Sequence, residues 1–134
     1  MNIFENAAVV LWSSCPGDLE PAEPALTAPG CRVRNVTSRR ELLGLIERES
    51  VDLVIISLRR SCPECLDWLA PQVRGETRPA VLVVADLHDV HLYMEALQRG
   101  AYDGLGFPID EKELMRLAES ALQAHRSKLC HCAV

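Results

Sequence analysis

A chain of 134 residues is long enough for one domain, and a domain of this size buries about two thirds of its unfolded surface. Apolar residues make up 49% of the chain and charged residues 25%, which is typical of a folded protein and excludes extended disorder. The net charge of −5 disfavours a nucleic-acid-binding role, because proteins with that role present a basic surface.

The apolar runs of the chain are too short for membrane spans. The longest have about six to eight residues, whereas a membrane-spanning helix needs about 20. No signal-peptide pattern opens the chain, so a cytoplasmic location is expected. The six cysteines are many for this length, and in a reducing compartment we expect them to remain mostly reduced thiols.

The first part of the chain alternates strand patterns with helical ones. Ala7–Trp12 is a short apolar run typical of a buried strand, and a short helix is expected over Glu20–Ala28, with prolines in its first turn. Arg32–Val36 predicts a weaker strand at the edge of a sheet. Ser38 and Glu41 have the spacing of a capping box, which predicts that the next helix begins there.

Val51–Leu58 is a nearly continuous apolar run, rich in β-branched side chains. Such a run predicts a strand that is buried on both faces, as the central strand of a parallel sheet is. Ser57 is the small polar residue at its far end. Because parallel sheets carry their chemistry beyond the carboxyl ends of the strands, Ser57 marks the edge where a functional site is expected.

The second part of the chain repeats the same alternation. Helices are predicted over Glu64–Val73, Asp89–Arg99 and Glu111–His125. Ala80–Ala85 predicts another fully buried strand, and Asp103–Phe107 a short strand that contains glycine. Five strand–helix units predict an α/β fold, a three-layer α/β/α sandwich in which helices cover both faces of a five-stranded parallel sheet. Residues 1–126 are expected to form one domain, and residues 127–134 a flexible tail.

Two segments resemble a known family. Residues 98–110, QRGAYDGLGFPID, resemble a family pattern of glycine-alanine, aromatic, aspartate, strand, Lys-Pro and capping aspartate. Residues 52–57, DLVIIS, resemble its aspartate, apolar run and phosphoacceptor. The family is the receiver domain of bacterial response regulators, of the nitrogen-regulator type, and the resemblance covers Ala7 to Leu122. It implies a flavodoxin-like, CheY-like fold with strand order 2-1-3-4-5.

The resemblance also implies five functional positions, and this chain departs from the family pattern at each. The family's pair of metal-binding acids falls on Ser13 and Ser14, and its phosphoacceptor aspartate on Ser57. Its phosphate-binding Thr or Ser falls on Ala85, and its lysine on Phe107. We therefore expect a degenerate pseudo-receiver that lacks the acidic pocket, the phosphoacceptor, the hydroxyl residue and the lysine.

These departures predict the loss of phosphoryl-transfer chemistry. Mg²⁺ requires carboxylate oxygens, and hydroxyl groups at three of the positions give it no charge, so the Mg²⁺ site is expected to be lost. An unactivated serine is a poor nucleophile, and without metal and lysine no group stabilises a transferring phosphoryl. The sheet edge is expected to be neutral and apolar, the Arg39-Arg40 and Arg59-Arg60 pairs to be solvated, and the protein not to be an enzyme.

The remaining function is then contact with another protein. The resemblance implies a surface made by the fourth helix, fifth strand and fifth helix, through which receivers pair or touch output domains. Tyr93 and Tyr102 are the candidate contacts on that surface, unless they only cover the edge of the core. The family's switch aromatic on the fifth strand falls on Gly104. The expected partners are an output domain or a second copy, with no nucleic acid and no membrane.

The cysteines leave alternatives open. Cys62 and Cys65 form a Cys-x-x-Cys motif at the start of a helix, which indicates a thiol-redox or metal-binding module. The sequence Cys130-His131-Cys132 offers further metal ligands, but the last helix leads away from the first pair, which leaves only a metal bridge between two chains. A third alternative is a receiver that is still phosphorylated by a displaced mechanism.

Overall fold

The computed structural model describes residues 2–13, 15, 17–59, 63–69, 79–86 and 88–132, and within these it describes all side chains except those of 63, 64 and 128–132. The predictions for Ser14 and Cys62 therefore fall outside the described residues. The same holds for the side chains of Cys130, His131 and Cys132.

Strands and helices alternate along the whole described chain. The elements are β1 (Ala8–Trp12), α1 (Ala22–Thr27), β2 (Arg32–Val36), α2 (Arg39–Arg48), β3 (Leu53–Ser57), α3 (Pro63–Trp68), β4 (Ala80–Ala85), α4 (Val90–Gln98), β5 (Asp103–Gly106) and α5 (Glu111–Cys132). The strands form one parallel sheet in the order β2-β1-β3-β4-β5. The predicted flavodoxin-like fold is confirmed.

The middle of the sheet is β3, whose five residues are all buried. Val54 pairs with Val10 of β1 on one side and with Val81 of β4 on the other. Apolar side chains of this size each contribute about 1.5–3 kcal/mol when they leave water. The continuous apolar pattern in the sequence is thus explained, because both faces of β3 are covered.

Helices cover the sheet on both faces and form two cores. One core lies against α1 and α5, and its members from α5 are Leu114, Leu117, Ala118, Ala121 and Leu122. The other lies against α2, α3 and α4, and its members from these helices include Leu42, Leu45, Cys65, Trp68 and Ala96. Trp12 and Trp68 meet edge to face in the second core, with ring centroids 6.3 Å apart.

Local signals decide where the helices begin and end. Ser38 Oγ accepts a hydrogen bond from the Glu41 backbone N–H at 3.2 Å, as the capping box predicts. Asp89 caps α4 through the N–H of Leu92 at 3.3 Å. Gly100 ends α4 with φ +113°, a left-handed conformation that glycine adopts without strain.

Three helix predictions were wrong in length. Helix α3 ends at Trp68 and Leu69 lies in a turn, whereas the predicted end was Val73, and residues 70–73 lie outside the described part of the chain. Helix α1 begins at Ala22, later than predicted, because Pro21 occupies its N-cap and residues 17–21 form turns. Helix α5 continues to Cys132, beyond the predicted end near His125. The boundary between a domain and a flexible tail after residue 126 stays a prediction. None of the helices in the described part of the chain combines the length and apolar character needed to cross a membrane.

A buried polar cluster lies at the amino end of the sheet. Asp52 Oδ2 accepts a hydrogen bond from the Ala8 N–H at 2.9 Å, and His125 Nε2 lies 3.6 Å from its Oδ1. His125 is 6% exposed. The His125 side chain lowers the pKa of Asp52, and the Ala8 N–H adds to this, so that together they outweigh the opposing effect of burial.

We expect Asp52→Asn to lower the free energy of unfolding at pH 7 by about 1–2 kcal/mol, because a charged acceptor in the cluster is lost. The Asp52 pKa is below its unfolded value of 3.8, so its contribution is present above that pH and is lost as the pH falls through the folded pKa. Urea unfolding should therefore show a smaller difference at pH 3 than at pH 7. Asp67→Asn, at a carboxylate that is 64% exposed, is the control and should have little effect. An equal loss from Asp52→Asn at both values of pH would contradict the assignment.

Candidate functional site

The carboxyl edge of the sheet brings the predicted positions together. Trp12 pairs with Ile56, which sets Ser13 beside Ser57, and Ala85 pairs with Gly106, the residue before Phe107. Ser57 is completely buried and Ala85 is 2% exposed. Ser13 and Phe107 are half-buried, and the peptide bond from Phe107 to Pro108 is cis.

A bidentate ion pair closes over this edge. Arg59 donates from Nη2 to Asp18 Oδ1 at 2.7 Å and from Nε to Oδ2 at 3.1 Å. Its guanidinium carbon lies 4.6 Å from the centre of the Phe107 ring, a cation–π contact. Arg59, predicted to be solvated, keeps part of its side chain exposed, but it also contacts Asp18 and Phe107, which was not predicted. Its neighbour Arg60 lies outside the described residues.

The ion pair changes the pKa of both partners. Burial raises the pKa of Asp18, but hydrogen bonds from Arg59 and Ser57, with the charge of Arg59, outweigh this and hold the pKa below its usual value. The hydrogen bond to Asp18 raises the pKa of Arg59. The Asp18 side chain is 6% exposed and that of Arg59 is 40% exposed, so the carboxylate is the inner half of the pair.

An open cleft of about 480 Å³ lies outside the pair. Asp18, Arg59, Asp86 and Phe107 line it. Asp86 follows β4 and accepts the His88 backbone N–H at 2.9 Å. The expected neutral, apolar edge is therefore not what the structure has, because one guanidinium and two carboxylates lie there.

The donor set at this edge does not fit Mg²⁺. Both oxygens of Asp18 are bonded to Arg59, whose positive charge repels a metal ion. Ser13 and Ser57 supply hydroxyl oxygens where the resemblance implies carboxylates. Within the described ranges, no cluster of three or more His, Cys, Asp or Glu side chains could hold a metal ion.

Tyr93 is engaged inside the domain. Its hydroxyl donates to Asp103 Oδ1 at 3.0 Å, and its ring covers Gly104 on β5. A Cβ on Gly104 would lie 2.9 Å from Val83 Cγ2 and closer still to the Tyr93 ring. The structure thus places Tyr93 of α4 over the position where the resemblance implies an aromatic residue on the strand itself.

Exposed apolar side chains remain on the same side of the domain. Val90 is 58% exposed and Met94 48%, and the two lie one turn apart on α4. Tyr102, just before β5, is 44% exposed. Of the two tyrosines predicted for an interaction surface, Tyr102 is exposed and Tyr93 is mainly a packing residue.

The cysteines occupy separate environments. Cys65 is completely buried on α3 in the core that contains Trp68, while the position of its predicted partner Cys62 is not described. Cys31 is buried near the amino end of the sheet, and burial, with the nearby charge of Asp52, raises its pKa to about 11. A thiol with this pKa stays protonated at neutral pH.

Sequence reasoning missed Asp18 and Arg59. One signal was present for Arg59, because side chains alternate along an extended segment and residue 59 falls on the same side as Ser57. Asp18 had no comparable signal. It follows β1 by several residues in a loop with Gly17 in a left-handed conformation, φ +86°, and only the folded loop sets its position.

Comparisons with known proteins agree on the fold. The sequence matches no protein-family model and no curated protein sequence. Among solved structures, a response regulator from Thermotoga maritima matches with a TM-score of 0.75 and 20% identity, covering 88% of this chain and 98% of that one. The signal receiver domain of an HD-domain-containing protein from Pseudomonas fluorescens matches with a TM-score of 0.75, 21% identity, and 92% and 99% coverage. A CheY-like protein from Pseudomonas aeruginosa matches with a TM-score of 0.73 and 24% identity, and the match covers 87% of this chain and 99% of that one.

Replacing Arg59 should raise the pKa of Asp18. In Arg59→Ala the burial of the carboxylate remains and its main hydrogen-bond partner is lost. We expect the carboxyl ¹³C titration of Asp18 to move to higher pH, and the free energy of unfolding at pH 7 to fall by about 1–2 kcal/mol. Arg59→Lys keeps the charge without the bidentate geometry and should give an intermediate titration. An unchanged Asp18 titration in Arg59→Ala would contradict the assigned pair.

The substitution Gly104→Ala should destabilise the domain by about 1–3 kcal/mol, because the added Cβ would overlap the Tyr93 ring. In a Tyr93→Ala background the same change should cost less, since the overlap with the ring is gone and only the close approach to Val83 Cγ2 remains. Urea unfolding of the two single variants and the double variant measures this coupling. Gly44→Ala is the control, because its added Cβ would lie 3.5 Å from the nearest atom, Nη1 of Arg48, and should not destabilise. Additive costs at Gly104 and Tyr93 would show that the ring does not fill this space.

Proposed function

We propose that this chain is a receiver-like signalling domain that acts through contacts with other proteins and does not use aspartyl phosphorylation. The observation that carries the proposal is the ion pair of Asp18 and Arg59 at the edge where the resemblance implies a phosphorylation site. The carboxylate of Asp18 and the guanidinium of Arg59 meet at that edge, beside Ser57, which is fully buried. A role in two-component or phosphorelay signalling is part of the proposal, supported by the receiver fold.

The chemistry of Ser57 supports a function without phosphoryl transfer. Its side chain is hydrogen-bonded to Asp18, so a carboxylate is nearer than the sequence indicated. The lowered pKa of Asp18 makes that carboxylate a weak base, which activates a hydroxyl poorly. Complete burial also keeps a phosphoryl donor from reaching the oxygen. We therefore assign no catalytic residue and propose that the protein is not an enzyme.

The surroundings of Ser57 support the same view. A transferring phosphoryl group requires cations that are free to bind its oxygens. The guanidinium of Arg59 is already paired with Asp18, and Phe107 puts an aromatic ring at the position that the resemblance gives to a lysine. We propose that the domain works without Mg²⁺ or another cofactor.

The surface proposed for contact is made by α4, β5 and α5. Val90, Met94 and Tyr102 give it exposed apolar side chains, which are enriched where proteins meet. The beryllofluoride-activated NtrC4 receiver domain, a structural neighbour, is a dimer. Another neighbour, NtrX from Brucella abortus, is a longer chain of which the match covers 28%. A second copy and an output domain are accordingly the proposed partners.

The thiol-redox alternative has less support. A redox pair needs a reactive thiolate that a partner can reach, and Cys65 is completely buried among apolar side chains. The alternative of a displaced phosphorylation site gains a nearby carboxylate in Asp86. However, that residue lies in the same cleft as Arg59, which competes with a metal ion for carboxylate oxygens.

The proposal predicts that phosphoryl donors do not change the protein. Incubation with acetyl phosphate and Mg²⁺ should give no phosphoryl adduct by intact mass. Beryllofluoride with Mg²⁺ should leave the amide NMR spectrum and the association state unchanged. Met94→Glu should weaken self-association, measured by sedimentation, or the binding of a separate output domain, measured by titration, because it charges the apolar surface.

Two controls make these results interpretable. A receiver domain that carries the acidic residues, treated in parallel, must show the adduct. Leu43→Glu alters a side chain of similar type, 38% exposed on α2, and should leave contacts through α4 and β5 unchanged. A phosphoryl adduct on this chain, or association that depends on beryllofluoride, would overturn the proposal.

A further inference from the structure

A groove of about 970 Å³ lies at the other end of the sheet, between β2 and α2. Residues between 34 and 48 line it. Leu43 contributes an exposed apolar side chain to it, and Val36 and Leu45 lie buried at its base. Because β2 and β5 are the two ends of the strand order, this groove is remote from the surface made by α4, β5 and α5.

The groove is basic in an acidic protein. Its lining has two glutamates and four arginines, which are Arg34, Arg39, Arg40 and Arg48. The chain as a whole, by contrast, has a net charge of −5. Arg34 is paired with Glu49 at 3.1 Å. Considering the described residues alone, Arg39, Arg40 and Arg48 have no carboxylate within ion-pair distance. The arginines of the groove therefore outnumber its glutamates, and these three are not held in ion pairs by described residues.

Of the two glutamates that line the groove, Glu41 is engaged in local hydrogen bonds. Glu41 Oε1 accepts the Thr37 hydroxyl at 3.0 Å and contacts the Ser38 hydroxyl at 3.4 Å, next to the N-terminus of α2. Its carboxylate is thus directed at the cap of its own helix.

The backbone of β2 adds a second, independent feature. Within the described sheet, β2 pairs only with β1. Arg32 donates its N–H to Ala7 O at 2.8 Å, and backbone groups alternate in direction along a strand. The N–H and C=O groups of Val33 and Asn35 consequently face outward. An outward row of this kind is a template for one more strand.

We propose that the β2 edge and this groove together bind an extended acidic segment of another protein, added as a further strand beside β2. Backbone hydrogen bonds to Val33 and Asn35 would provide affinity, and alternate side chains would face α2, as in other cases of strand addition. Acidic side chains at the alternate positions that face α2 meet Arg39 and Arg40, while the intervening apolar side chains face the other side of the sheet. If two copies of this chain paired through their β2 strands, the positive charges of Arg32 and Arg34 would lie close to those of the other copy. This repulsion disfavours a second copy as the partner at β2.

This inference goes beyond the proposed contact surface and does not depend on it. A domain with both surfaces holds one partner at β5 and another at β2, so the two partners are brought together without competing. If binding fails at one of the two surfaces, the proposal for the other surface is not affected. Variants at Met94 test the surface made by α4, β5 and α5, and variants at Arg39 test the groove beside β2.

A synthetic peptide of about ten residues, alternating glutamate with valine, is the probe. Added to the ¹⁵N-labelled full chain at low salt, it should shift the amide signals of Val33, Asn35 and α2 and leave those of α4 unchanged. Binding should weaken as salt increases, because exposed charges are screened. The same peptide with lysine in place of glutamate is the charge control and should not bind.

Variants test the two features separately. Replacing both Arg39 and Arg40 by Glu should weaken binding roughly tenfold or more, while Met94→Glu should not affect it. Asn35→Pro removes one outward N–H and no bond to β1, so it should reduce binding. Asn35→Ala keeps that N–H and is its matched control. Amide spectra confirm that each variant is folded, and the arginine variant provides the test if Asn35→Pro does not fold.

Several results would overturn the proposal. They are equal binding of the lysine peptide, no effect of the arginine double variant, and shifts confined to residues outside β2 and α2. Tighter binding of a single-stranded oligonucleotide than of the acidic peptide would assign the groove to nucleic acid. Shifts at β2 that grow with protein concentration alone would assign it to a second copy.

Discussion

The parallel pairing of β3 with β1 and β4 is the constraint on which the rest of this structure depends. Both neighbours run in the same direction as β3, so the carboxyl ends of three chain segments are brought to one edge. The ladder continues past the strand itself, because the Leu58 N–H donates to Val84 O at 2.8 Å. Ser57 is therefore fixed between β1 and β4. The extended backbone at Leu58 then sets the direction of the side chain of the next residue. That residue is Arg59, and its direction determines the chemistry of the edge.

The buried carboxylate at this edge is balanced by a charge from the same chain. A buried carboxylate requires a partner, and a guanidinium with two parallel hydrogen bonds is a strong one. Asp18 has that partner in Arg59, which in turn lies against Phe107. The resemblance to receivers implies that a metal ion and a phosphoryl group supply these charges from solution. The counter-charge that Arg59 gives to Asp18 is the reason for proposing a domain that functions as a binding surface.

Most of the fold was predictable because it follows from short-range patterns. The apolar run of β3 and the capping box at Ser38 depend on neighbouring residues, and both elements form as predicted. Errors arose where a local pattern had no clear end. Helix α1 is shorter than predicted because of Pro21, and α5 is longer because the sequence after His125 contains no helix breaker.

The site was less predictable than the fold. The positions of Ser57, Ala85 and Phe107 at one edge follow from strand order alone. The ion pair joins residues 41 positions apart, and no periodic pattern connects two loops. The packing of Tyr93 on Gly104 is similar, because a glycine in a strand indicates a close approach without naming the residue that approaches.

The position of the Tyr93 ring has a consequence for motion. When an aromatic side chain belongs to a strand, one rotation about its own bonds moves it in or out, an event of picoseconds to nanoseconds at an exposed site. Here the ring belongs to α4 and is held by Asp103, and Gly104 has no side chain to fill the space that it would leave. If the ring turns away by itself, it loses the bond to Asp103 and leaves Gly104 uncovered, whereas a collective shift of the helix takes microseconds to milliseconds. A rearrangement that displaces α4 therefore moves the ring off Gly104 and takes place on the slower of these timescales.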